Sequence, residues 1–213
     1  MNSQEQTTAV TFEDLRQRDP LYLYAGDVPK DSMYDKYVGL SLNYSDHQHI
    51  LHDLLNPYPL QSDCVQIYQS EDVFEHIDIE ILPVLINEIY RVLKPGGLFR
   101  LSVPDYRCDF LYERTEKNAA GELIFDQGGG GHFANGKVQN GGHVWFPVYE
   151  LVKSLLVISK FKKYNFLHYY DESGLGITKP IDYTLGHVAR TPDHDERAAN
   201  PYRPMSIVVD CYK

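Results

Sequence analysis

The sequence is poor in cysteine, tryptophan and positive charge. Three Cys and one Trp occur among 213 residues. Cys64, Cys108 and Cys211 are too few and too far apart for a disulfide framework or a paired-cysteine metal site. Against 30 Asp+Glu stand 20 Lys+Arg, a formal net charge of −10. A chain that holds nucleic acid through its phosphates needs a basic face, so this balance argues against DNA or RNA as the partner. The one compact basic run, Lys160 to Lys163, reads as a solvated helix C-terminus. No apolar run approaches the ~20 residues that span a bilayer. Met1 to Gln6 has neither the basic nor the apolar part of a signal peptide. The expectation is a soluble cytoplasmic chain with reduced thiols and no membrane partner; the oligomeric state stays open.

What is present is ordinary globular material, 43% apolar, 23% charged, with 17 Tyr. The length suits one domain, residues 1–213. Short apolar runs read as strands: Leu21 to Ala25, Tyr37 to Leu42, a weak one from Ile50 to Leu55, Cys64 to Gln69, Leu98 to Val103, Tyr164 to Tyr170 and Ser206 to Tyr212. Leu82, Leu85, Ile86, Ile89 and Leu93 form one apolar stripe of a helix starting near Ile79 or Glu80 and stopping at Lys94-Pro95-Gly96-Gly97. Val148, Leu151, Val152, Leu155 and Leu156 predict a second helix, with Pro147 at its first position. The alternation of strand and helix indicates an α/β doubly wound sheet. Two polar stretches, 106–142 and 171–204, interrupt it. Insertions of this length are commonly functional.

Some motifs fail on inspection. Gly131 to Lys137 has the spacing of a phosphate-binding loop, but Val138 replaces the hydroxyl residue that would hold magnesium. His47, His49 and His52 would bind a metal only on one side, and a strand would split them between two faces. No nucleophile elbow is present. No metal is expected.

The run Val65 to Ile77, containing Ser70-Glu71-Asp72-Val73-Phe74-Glu75-His76, followed by Ile86-Asn87-Glu88-Ile89-Tyr90-Arg91-Val92-Leu93-Lys94-Pro95-Gly96-Gly97, resembles the central part of class I S-adenosylmethionine-dependent methyltransferases of the type 11 branch. The resemblance covers roughly residues 20 to 105 and the closing strand. It implies a seven-stranded, mostly parallel Rossmann-like sheet with an antiparallel last strand and S-adenosylmethionine at the carboxyl ends of the strands.

Carried over one position at a time, it places the glycine turn of the first strand at Ala25 and Gly26, where one glycine stands for the usual two or three. The ribose-binding acid at the end of the second strand falls on Ser41, beside Leu42, with Asn43 as the nearest substitute. Asp53 and Leu54 match the adenine-contacting pair, and Ser70 and Glu71 the turn lining the sulfonium end. Glu75-His76 belongs to the family's turn, in a packing or supporting role.

Candidates for the acceptor side are Asp105 after the fifth strand, and His132 and His143, which follow glycine runs where core packing does not explain a histidine. Histidine suits a general base near neutral pH. Asp193-His194-Asp195-Glu196-Arg197 reads either as a carboxylate-oriented histidine or as a salt-bridged turn. The expected activity is methyl transfer to a small or medium polar acceptor, a metabolite or sugar-linked molecule, with 106–142 and 171–204 capping it. The alternative is a methyltransferase-like binding or scaffold protein without turnover, favoured by the single glycine and the missing ribose acid.

Overall fold

The computed structural model describes residues 8–213; the Met1 to Gln6 segment read above lies outside them. After a short capped helix α1 (Phe12–Leu15), the strands β1 (Leu21–Ala25), β2 (Val38–Ser41), β3 (His49–Leu51), β4 (Val65–Glu71) and β5 (Leu93–Pro104) pair in parallel in the order β3-β2-β1-β4-β5. Helix α2 (Leu82–Val92) bridges β4 and β5. The next region holds α3 (Asp109–Arg114) and two hairpins, β6 (Thr115–Lys117) with β7 (Leu123–Asp126) and β8 (His132–Ala134) with β9 (Lys137–Gln139). Helix α4 (Tyr149–Ile158), strand β10 (Lys163–Tyr170), β11 (Gly176–Thr178), the short α5 (Glu196–Ala199) and β12 (Ser206–Tyr212) complete the chain.

Strand β12 lies antiparallel between β5 and β10, and β11 adds an antiparallel edge beyond β10. The large sheet therefore has eight strands, not the seven expected. The eighth is a polar three-residue edge with no periodicity to announce it.

Alternation along the strands assigns the two faces. Leu21, Leu23, Val65, Phe99, Leu101, Val103, Ile207 and Val209 join one core, covered by Leu82, Leu85, Ile86 and Ile89 of α2 and by Val152, Leu155 and Leu156 of α4. Helix α2 begins at Leu82, later than its stripe suggested, because Ile79 to Ile81 turn tightly and Ile81 N–H donates to the Asp78 carbonyl at 2.9 Å. Pro147 precedes the N-cap Val148 of α4 instead of opening the helix.

The opposite face carries no long helix. Tyr24, Val28, Tyr34, Tyr37, Ile67 and Leu98 pack there with Leu185, and Leu167 and Val208 pack with Ile181 and Val188. Fully buried Arg100 reaches across this face to Asp210 (2.7 and 2.8 Å) and donates to the carbonyls of Asp182 (3.0 Å) and Gly186. Much of the polar stretch 171–204 is thus spent covering the sheet.

The Arg91 to Gly97 motif has a mechanical explanation. Arg91 donates to the carbonyls of Leu60 (2.8 Å) and Tyr58 (3.1 Å) while Glu88 accepts from Tyr58 N–H (2.9 Å), clamping the loop before β4. A Cβ on Gly97 would lie 2.8 Å from the Lys94 carbonyl oxygen, so only glycine lets the turn close.

Candidate active site

Strand order reverses between β1 and its two neighbours, β2 and β4. In open α/β sheets such a switch point opens a crevice at the carboxyl ends of the strands. Two adjoining cavities occupy it. The smaller, about 270 Å³, is lined by Tyr24, Ala25, Gly26, Asp27, Glu71 and their neighbours. The larger, about 630 Å³, is lined by Asp53, Leu55, His76, Ile77, Asp78 and Gly141. Leu42, Asn43, Leu54, Asp72 and Val73 belong to both walls, making one continuous cleft.

Gly26 takes φ +83, and a Cβ built on it would touch nothing nearer than Val73 at 3.4 Å. The backbone is therefore open for close approach there. Leu42 projects 67% exposed beside buried Leu54, an apolar pair at the rim. Ser41 is buried and donates to Asp27 Oδ1, while Asn43 Nδ2 donates to Asp27 Oδ2 at 2.9 Å. A carboxylate thus stands at the end of β2, delivered by the β1 turn. Ser70 is buried with an unpartnered hydroxyl, because β4 continues through Glu71 and the turn falls on Asp72 and Val73.

Glu71 accepts from Tyr34 hydroxyl (2.9 Å), Gln69 (2.7 Å) and the Ala189 amide (3.0 Å); burial pushes its carboxyl above the usual range against these bonds. Asp72 sits at φ +52 and pairs with Arg190 through one oxygen; the other has no partner. Burial raises its carboxyl too, opposed by Arg190.

The acceptor candidates separate. Asp105 is buried at the end of β5, its oxygens accepting from the amides of Tyr170 (2.7 Å) and Arg107 (3.0 Å), and it is not on the cleft wall. His132 is exposed on β8. His143 is buried next to the cleft, where its ring meets that of His76 edge-on at 4.7 Å. Burial brings His143 down to about 4, so it is neutral. Its Nδ1 bonds the Tyr106 hydroxyl, which donates to Asp126 at 2.6 Å; Asp126 also accepts from Arg114 at 2.7 Å. His194 packs on His187 and Tyr183 beside the salt-bridged Asp195–Arg197 turn. The Gly131 to Lys137 spacing is the β8–β9 hairpin. His49 Nε2 accepts from Val28 N–H (2.9 Å), and its Nδ1 bonds Asp46 (2.9 Å), a structural tie between strands.

Asp27, Asp72, Val73 and Gly141 also line the cleft. Asp72 was readable two residues past the expected turn, whereas Asp27 and Gly141 arrive from loops that only the tertiary structure brings near.

The strand order β10-β12-β5-β4-β1-β2-β3, with β11 added at one edge and a cleft at the switch point, is that of the Rossmann-like class I methyltransferase fold. Solved structures bear out the architecture. S-adenosylmethionine-dependent methyltransferases from Archaeoglobus fulgidus (12% identity, TM-score 0.50, 91% of this chain and 86% of that one) and Mesorhizobium loti (14%, 0.51, 91% and 90%) share it. So does a protein from Thermotoga maritima titled a possible histamine N-methyltransferase (14%, 0.52, 91% and 81%). At these identities the likeness shows the fold. No curated protein matches the chain. Residues 32–101, from the turn before β2 to the middle of β5, match the family model described as "Methyltransferase domain". The chain therefore has the fold of class I methyltransferases, and this third of it is similar to the methyltransferase-domain family; S-adenosylmethionine is the cofactor for which the structural neighbours are named. The cleft suits that molecule: open backbone at Gly26, an apolar pair at Leu42 and Leu54, and carboxylates at Asp27, Asp53 and Asp72 for a ligand with cationic groups. Among the described residues, no helix is long and apolar enough to cross a membrane.

Proposed function

We propose that the chain methylates a small or medium polar acceptor, a metabolite or sugar-linked molecule, bound in the larger half of the cleft. The observation that carries this reading is the shared wall. Leu42, Asn43, Leu54, Asp72 and Val73 border both cavities, so a ligand on the glycine turn and a second one beside His76 and Asp78 would lie in contact. When bound, S-adenosylmethionine supplies an activated methyl group. The chain's contribution is then positioning, which supplies much of the acceleration of a two-substrate displacement. Ala25, Gly26, Leu42, Asp53, Leu54 and Glu71 are the cofactor-side residues of this reading, joined by Asp27 and Asp72. Asn43, Asp53, Asp72, His76 and Asp78 give the larger cavity a polar lining that suits a polar acceptor.

The 106–142 insertion supports the cap role, because Gly141 lines the larger cavity and its carbonyl holds His76 Nδ1 at 2.7 Å. Asp105 and His132, away from the cleft walls, fit supporting roles in this reading. The net charge of −10 favours a small acceptor over a nucleic acid.

Isothermal titration with S-adenosylhomocysteine tests the cofactor half. Micromolar binding that weakens in Asp53→Ala is the expected result. Absence of heat at millimolar ligand would favour the reading of a binding or scaffold protein without turnover. A panel of small polar acceptors with radiolabelled cofactor tests the acceptor half; transfer only to nucleic acid or to intact protein would overturn it.

A further inference from the structure

Glu75 is fully buried, and neither of its carboxylate oxygens has a hydrogen-bond partner. Unpaired buried carboxylates are costly and call for an explanation. Two imidazoles stand beside this one. His76 Nδ1 bonds the Gly141 carbonyl at 2.7 Å. A carbonyl only accepts, so Nδ1 carries the proton and Nε2 keeps a free lone pair. The Tyr106 hydroxyl gives its proton to Asp126, so its oxygen accepts from His143 Nδ1–H. His143 Nε2 is then also a bare lone pair, 3.6 Å from Glu75 Oε1. One oxygen of Glu75 and one nitrogen of each ring lie within 4.8 Å of one another. A buried carboxylate without a hydrogen-bond donor thus stands beside two imidazoles that each keep a free lone pair.

A proton on Glu75 does not resolve this. Its nearest ring nitrogen is beyond hydrogen-bond reach at 3.6 Å, and its second oxygen would still lack a partner. A cation answers all three groups at once. The surrounding bonds are those of ligating histidines, each offering its other N–H to a carbonyl or to a hydroxyl backed by a carboxylate. The neighbouring charges leave room for it: Arg114 is paired with Asp126 and Arg190 with Asp72, and neither arginine forms an ion pair with Glu75. The glycine run explains how the ring is held, because a Cβ on Gly129 would fall 2.6 Å from the His143 ring.

We propose that Glu75, His76 and His143 bind a divalent transition-metal ion, zinc before others, with a coordination position left open towards the larger cavity that His76 lines. Two imidazoles and one carboxylate are the donor set of zinc sites that keep an exchangeable fourth ligand, whereas magnesium and calcium want oxygen throughout. Ligand atoms around zinc lie roughly 3.4 Å apart, so side-chain rotations of about an ångström close the set. The open position would take a water or a polar atom of the acceptor; only that last clause rests on the proposed function.

The test is metal uptake by the chelator-treated full chain, by zinc titration calorimetry and by the visible absorption of bound cobalt. One equivalent per chain is expected. Glu75→Gln, His76→Ala and His143→Ala should each weaken zinc about tenfold or more, and Tyr106→Phe, which removes the outer partner of His143, by about tenfold. Urea unfolding of each variant separates lost ligands from lost fold, and Glu75→Gln keeps the shape of the side chain. Sub-stoichiometric uptake, preference for magnesium, or zinc affinity unchanged in folded Glu75→Gln and His143→Ala overturns the site. S-adenosylhomocysteine binding is measured on the same samples. Cofactor binding without metal uptake sinks only the metal site, and metal uptake without cofactor binding supports the site while sinking the proposed function.

Discussion

The Ser41 hydroxyl donates to the carboxylate of Asp27, so an acid from the turn after β1 is docked at the end of β2. Family resemblance puts an acid at the end of β2, and the sequence has serine there. The structure supplies the charge from 14 residues upstream, with Asn43 Nδ2 holding the second oxygen. Each carboxylate oxygen retains a lone pair for a ligand hydroxyl.

Asp27→Asn should therefore weaken S-adenosylhomocysteine about tenfold, the scale of exchanging a charged acceptor for a neutral one. Asp27 is exposed, so the melting temperature should hardly move. Titration calorimetry with a thermal melt checks both. Unchanged affinity would show that Asp27 only braces the turn.

The strands and the central motif were legible because their signals are local. β12 spans Ser206–Tyr212 as its apolar run indicates, and Arg91 to Gly97 marks the α2–β5 junction, although α2 ends at Val92 and β5 already begins at Leu93, ahead of the Leu98 start that the apolar run gives. The site was less legible. Ser70 stands in for Asp72 only because strand ends are set by pairing, and β4 pairs with β5 through Glu71. The cluster around His143 comes from segments near 75, 106, 126 and 143, joined by no spacing rule. The covering of the second face was hidden for a different reason. Leu98 to Val103 reads as continuously buried, and the partner of its one arginine lies 110 residues away.

Arg91 should contribute to stability through the loop it clamps. It holds the Tyr58 and Leu60 carbonyls and pairs with Glu88 at 2.6 Å while staying about a third exposed. Solvent screening lowers the value of such bonds, so Arg91→Ala should cost about 1–2 kcal/mol in urea unfolding. Proteolytic nicking should rise between Asn56 and Asp63. A loss below about 0.5 kcal/mol would mean the loop is held by Tyr58 packing alone.

The buried Arg100–Asp210 pair should behave asymmetrically. Asp210→Ala leaves an arginine in the sheet with no counter-charge, expected to cost about 3–5 kcal/mol, because an uncompensated buried charge is worse than no charge. Arg100→Leu with Asp210→Leu should recover part of that loss. It would still release the carbonyls of Asp182 and Gly186, so exchange of amides near residues 181–188 should quicken. Equal destabilisation by the single and double replacements would refute the charge argument.

Asp105 gives a pH-dependent prediction of opposite sign to the usual carboxylate. Burial pushes its carboxyl up to about 6 from an ordinary 3.8, against the pull of the Tyr170 and Arg107 amides. Below about pH 4 it is protonated folded and unfolded alike. Between 4 and 6 the folded chain keeps a proton that the unfolded chain has released, so its contribution to stability falls as pH rises. Above 6 both states are ionised and the full penalty applies, about 3 kcal/mol for a shift of this size. Asp105→Asn removes the titration but leaves one of the two amides short of an acceptor, a cost of about 1 kcal/mol. The variant should therefore be the less stable protein at pH 4 and the more stable one at pH 7. Paired urea unfolding curves at the two pH values measure the crossing; a difference independent of pH would show that Asp105 titrates near its ordinary value.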